Sequence, residues 1–184
     1  MLKAAICGGS GYTGGELIRL LSTHPYVKIT AVTSEKSSGK TVSDLFPHLS
    51  NHSNLTYEPL DREKLLKKAD IFFLALPHAA SQSAVDFFFR HGKKVIDLSA
   101  DYRLRSAEIY EEWYKTPHKF HGTLKRAVYG LPELYRAKIA KSSLIANPGC
   151  YPTGAILGLY PAIKTRLIDA DSIVIDSTSG TTGA

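Results

Sequence analysis

The sequence predicts an α/β protein: a doubly wound, Rossmann-type dinucleotide-binding domain followed by the start of an α+β substrate domain that looks truncated. Three observations predict it. Short apolar, β-rich runs alternate with amphipathic segments, the pattern of a mostly parallel sheet with helices on its faces. A glycine string, Gly9-Ser10-Gly11-Tyr12-Thr13-Gly14, separates the first such run from the first amphipathic segment. The alternation then breaks at Asn147-Pro148-Gly149-Cys150, where we place a boundary between domains 1–146 and 147–184.

In chain order, residues 2–7 read as a strand. Residues 12–23 read as a helix with Leu17, Ile18, Leu20 and Leu21 on one apolar face. Residues 27–33 form the next strand, followed by a Ser/Gly/Lys-rich loop from Ser34 to Ser43 and an irregular stretch to Pro59. Asp61 caps a short helix reaching Lys68. Residues 71–76 are continuously apolar, as in a strand buried on both faces, and Pro77 stops them. A helix from Ser81 ends at Gly92, residues 94–98 form a strand, a helix lies near 107–114, and 144–146 make a short strand. Beyond the boundary a helix is expected over 152–163 and a strand over 172–177. The Gly/Thr run Ser179-Gly180-Thr181-Thr182-Gly183-Ala184 is an odd end for a folded protein, hence the expectation of a truncated second domain.

Composition narrows the class. The chain is 43% hydrophobic and 22% charged, with 23 Lys+Arg against 17 Asp+Glu for a net charge of +6, the balance of a soluble globular protein. Its longest apolar run falls far short of the roughly 18 residues of a membrane-spanning helix, and the N-terminus lacks a secretory h-region. Cytosolic residence follows, in agreement with only two, widely separated cysteines, Cys7 and Cys150. The basic excess suits small phosphate-bearing ligands; no basic run interleaved with aromatics and no zinc-finger or RNP pattern speaks for nucleic acid. His48 with His52 and His118 with His121 lie at helical spacings, yet neither pair sits on a convincing helix or has a third ligand, so no metal site is expected.

The glycines carry the first chemistry. Between a strand and a helix, Gly8 to Gly14 let the backbone turn tightly and approach a pyrophosphate lying on the helix N-terminus. The choice of dinucleotide stays open on the residues: Glu35 suits the ribose hydroxyls of NAD, whereas Ser34, Lys36, Ser37, Ser38 and Lys40 suit the extra phosphate of NADP. Cys150 follows a Pro-Gly turn and precedes a helix whose first turn can hold Pro152, a position that favours thiolate and hence attack on a carbonyl carbon; a small buried hydrophobe is the alternative. Cys7 reads as core. Arg103, in the Asp97-Leu98-Ser99-Ala100-Asp101-Tyr102-Arg103 segment leaving a strand end, either clamps a phosphate or carboxylate or pairs with Asp101. His78, in Leu76-Pro77-His78, either meets cofactor or caps the next helix.

The opening Gly8-Gly9-Ser10-Gly11-Tyr12-Thr13-Gly14-Gly15-Glu16-Leu17 joins Phe46-Pro47-His48-Leu49, Leu76-Pro77-His78, the segment from Asp97 to Leu104, Tyr129-Gly130-Leu131-Pro132-Glu133-Leu134 and Asn147-Pro148-Gly149-Cys150-Tyr151-Pro152-Thr153. Together, and in this order over the whole chain, they resemble the N-acetyl-gamma-glutamyl-phosphate reductase family. The resemblance implies an NADPH-dependent reduction of N-acetylglutamyl 5-phosphate to the semialdehyde in arginine biosynthesis, with Cys150 as nucleophile. It implies cofactor contacts from Gly8 to Gly14, from Ser34 and Lys36, from Leu76, Pro77 and His78, and from Ser99. Arg103 and Asn147 fall to the substrate, and a homo-oligomer is implied. It also implies a catalytic His downstream of Ser179-Gly180, matched by none of the seven histidines here. Where the family often carries Arg after the second strand, this chain has Glu35-Lys36. The rival readings are the aminoadipate-type phosphate reductase of lysine synthesis and a catalytically inactive dinucleotide-binding module.

Overall fold

The computed structural model describes residues 1–50 and 54–182; His52, Gly183 and Ala184 lie outside the described residues. Seven parallel strands form one sheet: β1 (Leu2–Cys7), β2 (Val27–Thr33), β3 (Tyr57–Glu58), β4 (Ile71–Leu74), β5 (Lys94–Asp97), β6 (Val128–Tyr129) and β7 (Leu144–Ala146), in the order β3-β2-β1-β4-β5-β7-β6. The order runs outward from β1 in both directions, so the topological switch point lies between β1 and β4. Ligands of such sheets bind there, outside the carboxyl ends of the strands. Register aligns those ends: Thr33, Cys7, Leu74, Asp97 and Ala146 are successive partners across the sheet.

The helices are α1 (Tyr12–Ser22), α2 (Val42–Leu45), α3 (Arg62–Leu66), α4 (Ser81–Arg90), α5 (Ala107–Tyr114), α6 (His121–Leu124), α7 (Pro132–Lys141) and α8 (Cys150–Lys164). Strand alternation sends Ile6 to one core with Ile18, Val32, Val42, Leu49 and Tyr57, and Ala5 and Cys7 to the other with Phe72, Val85, Phe88 and Leu144. Phe72 and Phe88 stack with ring centroids 3.9 Å apart, tying β4 to α4. On α1, Ile18 is buried, but Leu20 is 51% exposed, contrary to the single apolar face expected. Two residues along a helix is about 200° of rotation, which carries Leu20 away from the sheet.

Local chemistry accounts for the element ends that were anticipated. Asp61 Oδ1 accepts the Lys64 N–H at 3.1 Å and starts α3, while Ser106 Oγ accepts the Ile109 N–H at 3.1 Å and starts α5. Several elements were not anticipated. The stretch expected to be irregular holds α2, closed by a reciprocal Thr41–Asp44 capping box, a 3-10 turn at Pro47–Leu49 and β3. Further on come α6, β6 and α7. Strands as short as β3 and β6 carry too few residues for a periodic signal and exist because β2 and β7 pair with them.

The strand expected over 172–177 is absent: a 3-10 turn at Ala170–Ser172 leads into extended chain without ladder partners among the described residues. Val174 is 91% and Ile175 56% exposed. A β-rich sequence does not make a strand when no neighbouring strand takes its hydrogen bonds. Similarly, α8 begins at Cys150 rather than 152 and buries no residue.

Candidate active site

At the carboxyl end of β1 the chain turns through Gly8, whose φ is +85°. A Cβ there would stand 2.3 Å from the Ala75 carbonyl oxygen at the end of β4. A Cβ on Gly14 would stand 2.5 Å from Gly9 Cα, because the loop folds onto the first turn of α1. A Cβ on Gly15 would meet the Phe46 ring at 2.7 Å, which explains why Phe46 and the glycine run belong to one packing unit. Gly11 differs: its own Cβ direction meets nothing within 4 Å. No side chain caps α1 and no acid stands in its first turn, so the positive end of its dipole is left without a side-chain partner beside the exposed Tyr12 and Thr13. The cradle fits a pyrophosphate.

The loop is braced from β2 and β3. Gly9 N–H donates to the Thr33 carbonyl at 2.8 Å, Tyr57 Oη–H donates to the Gly9 carbonyl at 3.2 Å, and the Ser10 and Ser34 hydroxyls lie 2.7 Å apart. Burial pushes the Tyr57 phenol up to about 12, so it remains a donor at neutral pH. Tyr57 was not singled out from sequence, since nothing local announces a contact across 48 residues. Glu35 turns away from the cradle to accept the Leu60 N–H at 2.9 Å, while Lys36 is exposed.

After β4, Leu76 packs against the core and Pro77 and His78 are exposed. His78 caps no helix; its Nδ1 accepts the Ala100 N–H at 2.9 Å. Ser99 is buried, with Oγ donating to Asp97 Oδ2 at 2.8 Å and accepting from the Asp101 N–H at 3.1 Å. Its hydroxyl therefore serves the protein interior and does not face the cradle. Asp97 also accepts from Ser81 Oγ at 2.7 Å, and burial raises its carboxyl above the usual carboxylate range despite these bonds. Close by, His118 is buried with Nδ1 accepting the Phe120 N–H at 3.3 Å. Its Nε2 finds no hydrogen-bond partner among the described residues, and burial lowers its basicity. Tyr102 and Tyr110 set their rings edge-on against it, with centroids 5.0 and 5.2 Å away.

Arg103 makes no ion pair with Asp101. Its Nε donates to the Asn147 carbonyl and its Nη2 to the Leu98 carbonyl, both at 2.8 Å. Its Nη1 comes within 3.1 Å of where a Gly149 Cβ would be. Asn147 N–H bonds the Asp97 carbonyl at 2.8 Å, and its side-chain amide turns to the Pro148 carbonyl. Gly149 is the N-cap of α8 and Cys150 its first residue, with the thiol exposed. A fixed guanidinium and an exposed thiol at a helix start thus flank one turn, on the same sheet edge as the glycine cradle. Among the described residues no group of three His, Cys, Asp or Glu side chains is assembled to hold a metal ion, and no helix is long and apolar enough to cross a membrane.

Residues 3–142 match the family described as semialdehyde dehydrogenase, NAD binding domain, and residues 150–184 match semialdehyde dehydrogenase, dimerisation domain. Curated proteins called N-acetyl-gamma-glutamyl-phosphate reductase are similar throughout. Those of Citrifermentans bemidjiense and Desulfotalea psychrophila are 54% identical over all 184 residues, and that of Moorella thermoacetica is 48% identical. The chain spans about half the length of these relatives, 53% in each case. Among solved structures, aspartate semialdehyde dehydrogenase with NADP from Candida albicans superposes with a TM-score of 0.64 at 18% identity, over 89% of this chain and 47% of that one. Aspartate semialdehyde dehydrogenase II from Vibrio cholerae gives 0.61 at 19% identity, over 90% and 43%. At such identities the likeness is one of fold.

Proposed function

The chain belongs to the semialdehyde dehydrogenase NAD-binding domain family, and from that premise we propose that it supplies the cofactor site and the nucleophile of an acyl-phosphate reductase. The reaction is reduction of N-acetyl-L-glutamyl 5-phosphate to the 5-semialdehyde with release of phosphate. The observation that carries the reaction class is the meeting of the glycine cradle, Arg103 and Cys150 along one row of strand ends. The choice of substrate rests on the names of the relatives at 54% identity.

In this reading the Cys150 thiolate attacks the acyl carbonyl carbon, the C–S bond forms, and the bond to the phosphate oxygen breaks to leave a thioester. Arg103, already oriented by two backbone carbonyls, binds the phosphate or a carboxylate. Backbone N–H groups at the start of α8 hold the oxyanion, and Asn147 shapes the turn. NADPH, when bound, supplies the hydride that reduces the thioester to aldehyde and returns the thiolate. Gly8, Gly9, Ser10, Gly11, Tyr12, Thr13 and Gly14 would hold its pyrophosphate, and Leu76, Pro77 and His78 would border it. The choice of NADP over NAD is supported by Glu35 being engaged with Leu60, so that Ser34, Lys36 and the Ser10 hydroxyl would be the residues to receive the 2′-phosphate. No His of this chain is assigned the acid/base role.

Domains 1–146 and 147–184 meet at the Asn147 turn, a division supported by where the two family matches end and begin. The second match supports a homo-oligomer, and two unpaired cysteines support a reducing, cytoplasmic setting. The test is the reverse reaction in the full gene product: N-acetylglutamate 5-semialdehyde should drive NADP reduction only with phosphate present, and Cys150→Ser should lose nearly all of it. Phosphate-independent turnover, or a fully active Cys150→Ser, would refute the proposal.

A further inference from the structure

The turns after β4 and β5 each send a side chain into the other's backbone. Asp101 accepts the Ala79 N–H on Oδ1 at 2.8 Å and the Gln82 N–H on Oδ2 at 3.0 Å. In the other direction, His78 Nδ1 accepts the Ala100 N–H at 2.9 Å. Ala79 has φ of +66°, a left-handed conformation unfavourable for alanine, which persists only where its surroundings hold it. The Asp101 carboxylate sits on that residue's own N–H. Asp101 is itself buried, bonded by Tyr110 Oη–H at 2.7 Å and held through its backbone by Ser99 Oγ at 3.1 Å. The start of α4 thus takes its cap from a separate segment, since its own N-cap, Ala80, provides none. Two residues beyond Asp101, in the same turn, is Arg103, whose guanidinium joins Leu98 to Asn147 beside Cys150.

We propose that Asp101 is a positioning residue that fixes with one carboxylate both the left-handed turn of His78 to Gln82 on the cofactor side and the seat of Arg103 on the nucleophile side. A helix cap formed from a neighbouring residue orders one segment; this one orders two and sets their spacing. The proposal rests on the reading above that this edge binds NADPH and that Arg103 attends an anion at Cys150.

Two measurements on the 184-residue chain test it: NADPH affinity by fluorescence titration, and the rate at which Cys150 is alkylated by iodoacetate relative to iodoacetamide. The two reagents differ by one negative charge, so their rate ratio reads positive charge beside Sγ. Arg103→Gln should lower the ratio. Asp101→Asn keeps the shape but not two acceptor oxygens; it should weaken NADPH about tenfold and lower the ratio about threefold. Adding Ala79→Gly, which adopts the left-handed turn without strain, should recover most of the affinity.

Asp101→Asn with both readouts unchanged overturns the proposal, even with a lowered melting temperature, because Asp101 is then only a structural cap. Should that variant not fold, Tyr110→Phe, which removes one of the bonds holding the carboxylate, should lower both readouts by a smaller factor, and no change in either overturns the proposal. An unmodified chain that does not bind NADPH, or an unchanged ratio in Arg103→Gln, strikes the underlying functional reading and takes the proposal with it, by a result distinct from the others.

Discussion

Glycines of one loop answer to different masters. Gly8 and Gly14 have neighbours at 2.3 and 2.5 Å from any added Cβ, whereas Gly11 has none within 4 Å. Gly14→Ala should therefore destabilise the fold by roughly 1–3 kcal/mol, read by urea unfolding. Gly11→Val should unfold like the parent and yet fail to bind NADPH in a fluorescence titration; retained binding would mean that the open side of the loop faces no ligand. The two cysteines divide similarly. Burial pushes the Cys7 thiol from an ordinary 9.0 to about 12, while Cys150 is exposed, so iodoacetamide should label Cys150 alone in the folded chain. The sign of the pH effect follows from the raised value. The stability Cys7 contributes is complete below about pH 9 and declines as pH rises toward about 12, because over that window only the unfolded chain gives up the proton. Between about pH 8 and about pH 10.5 the parent should lose more stability than Cys7→Ala.

At the scale of elements, the loop after β2 carries the proposed choice of cofactor and α8 shows what an unburied helix is worth. With Glu35 engaged by Leu60, the exposed Lys36 is the charge proposed to meet a ribose phosphate. Lys36→Glu should then narrow the preference for NADPH over NADH by about tenfold; an unchanged ratio of affinities would show that Lys36 points elsewhere. Helix α8 buries none of its residues, while β1 buries four of its six. In hydrogen exchange on the 184-residue chain, α8 amides should exchange much faster than those of β1 and β4. Protection of α8 equal to that of β1 would mean that its apolar residues are covered by a second copy.

Across the whole molecule, the parallel register is what gathers the site. It brings the loops after β2, β1, β4, β5 and β7 to one edge, though they come from positions as distant as Ser34 and Asn147. The residues proposed for NADPH all lie in the part that folds around this sheet, while the proposed mechanism gives the acid/base role to no histidine of the chain. The 184-residue chain should accordingly bind NADPH with ~micromolar affinity and show no turnover. A folded chain without detectable binding would remove the cofactor assignment altogether.

The strand–helix rhythm, the glycine turn at the end of β1 and a helix following the Asn-Pro-Gly-Cys turn were legible in the residues alone, because periodicity, capping and turn chemistry are local properties of neighbouring residues. The sequence did not reveal β3 or β6, which exist only through pairing with β2 and β7. It did not show that the β-rich 172–177 segment would find no partner. Nor did it decide where the side chains of the site point: Ser99 inward to Asp97, Glu35 to Leu60, Arg103 to Asn147 rather than Asp101, and Asp101 across to Ala79. Those are hydrogen bonds between residues brought close by the sheet, and their partners are set by the distance between strand ends, which no stretch of chain carries alone.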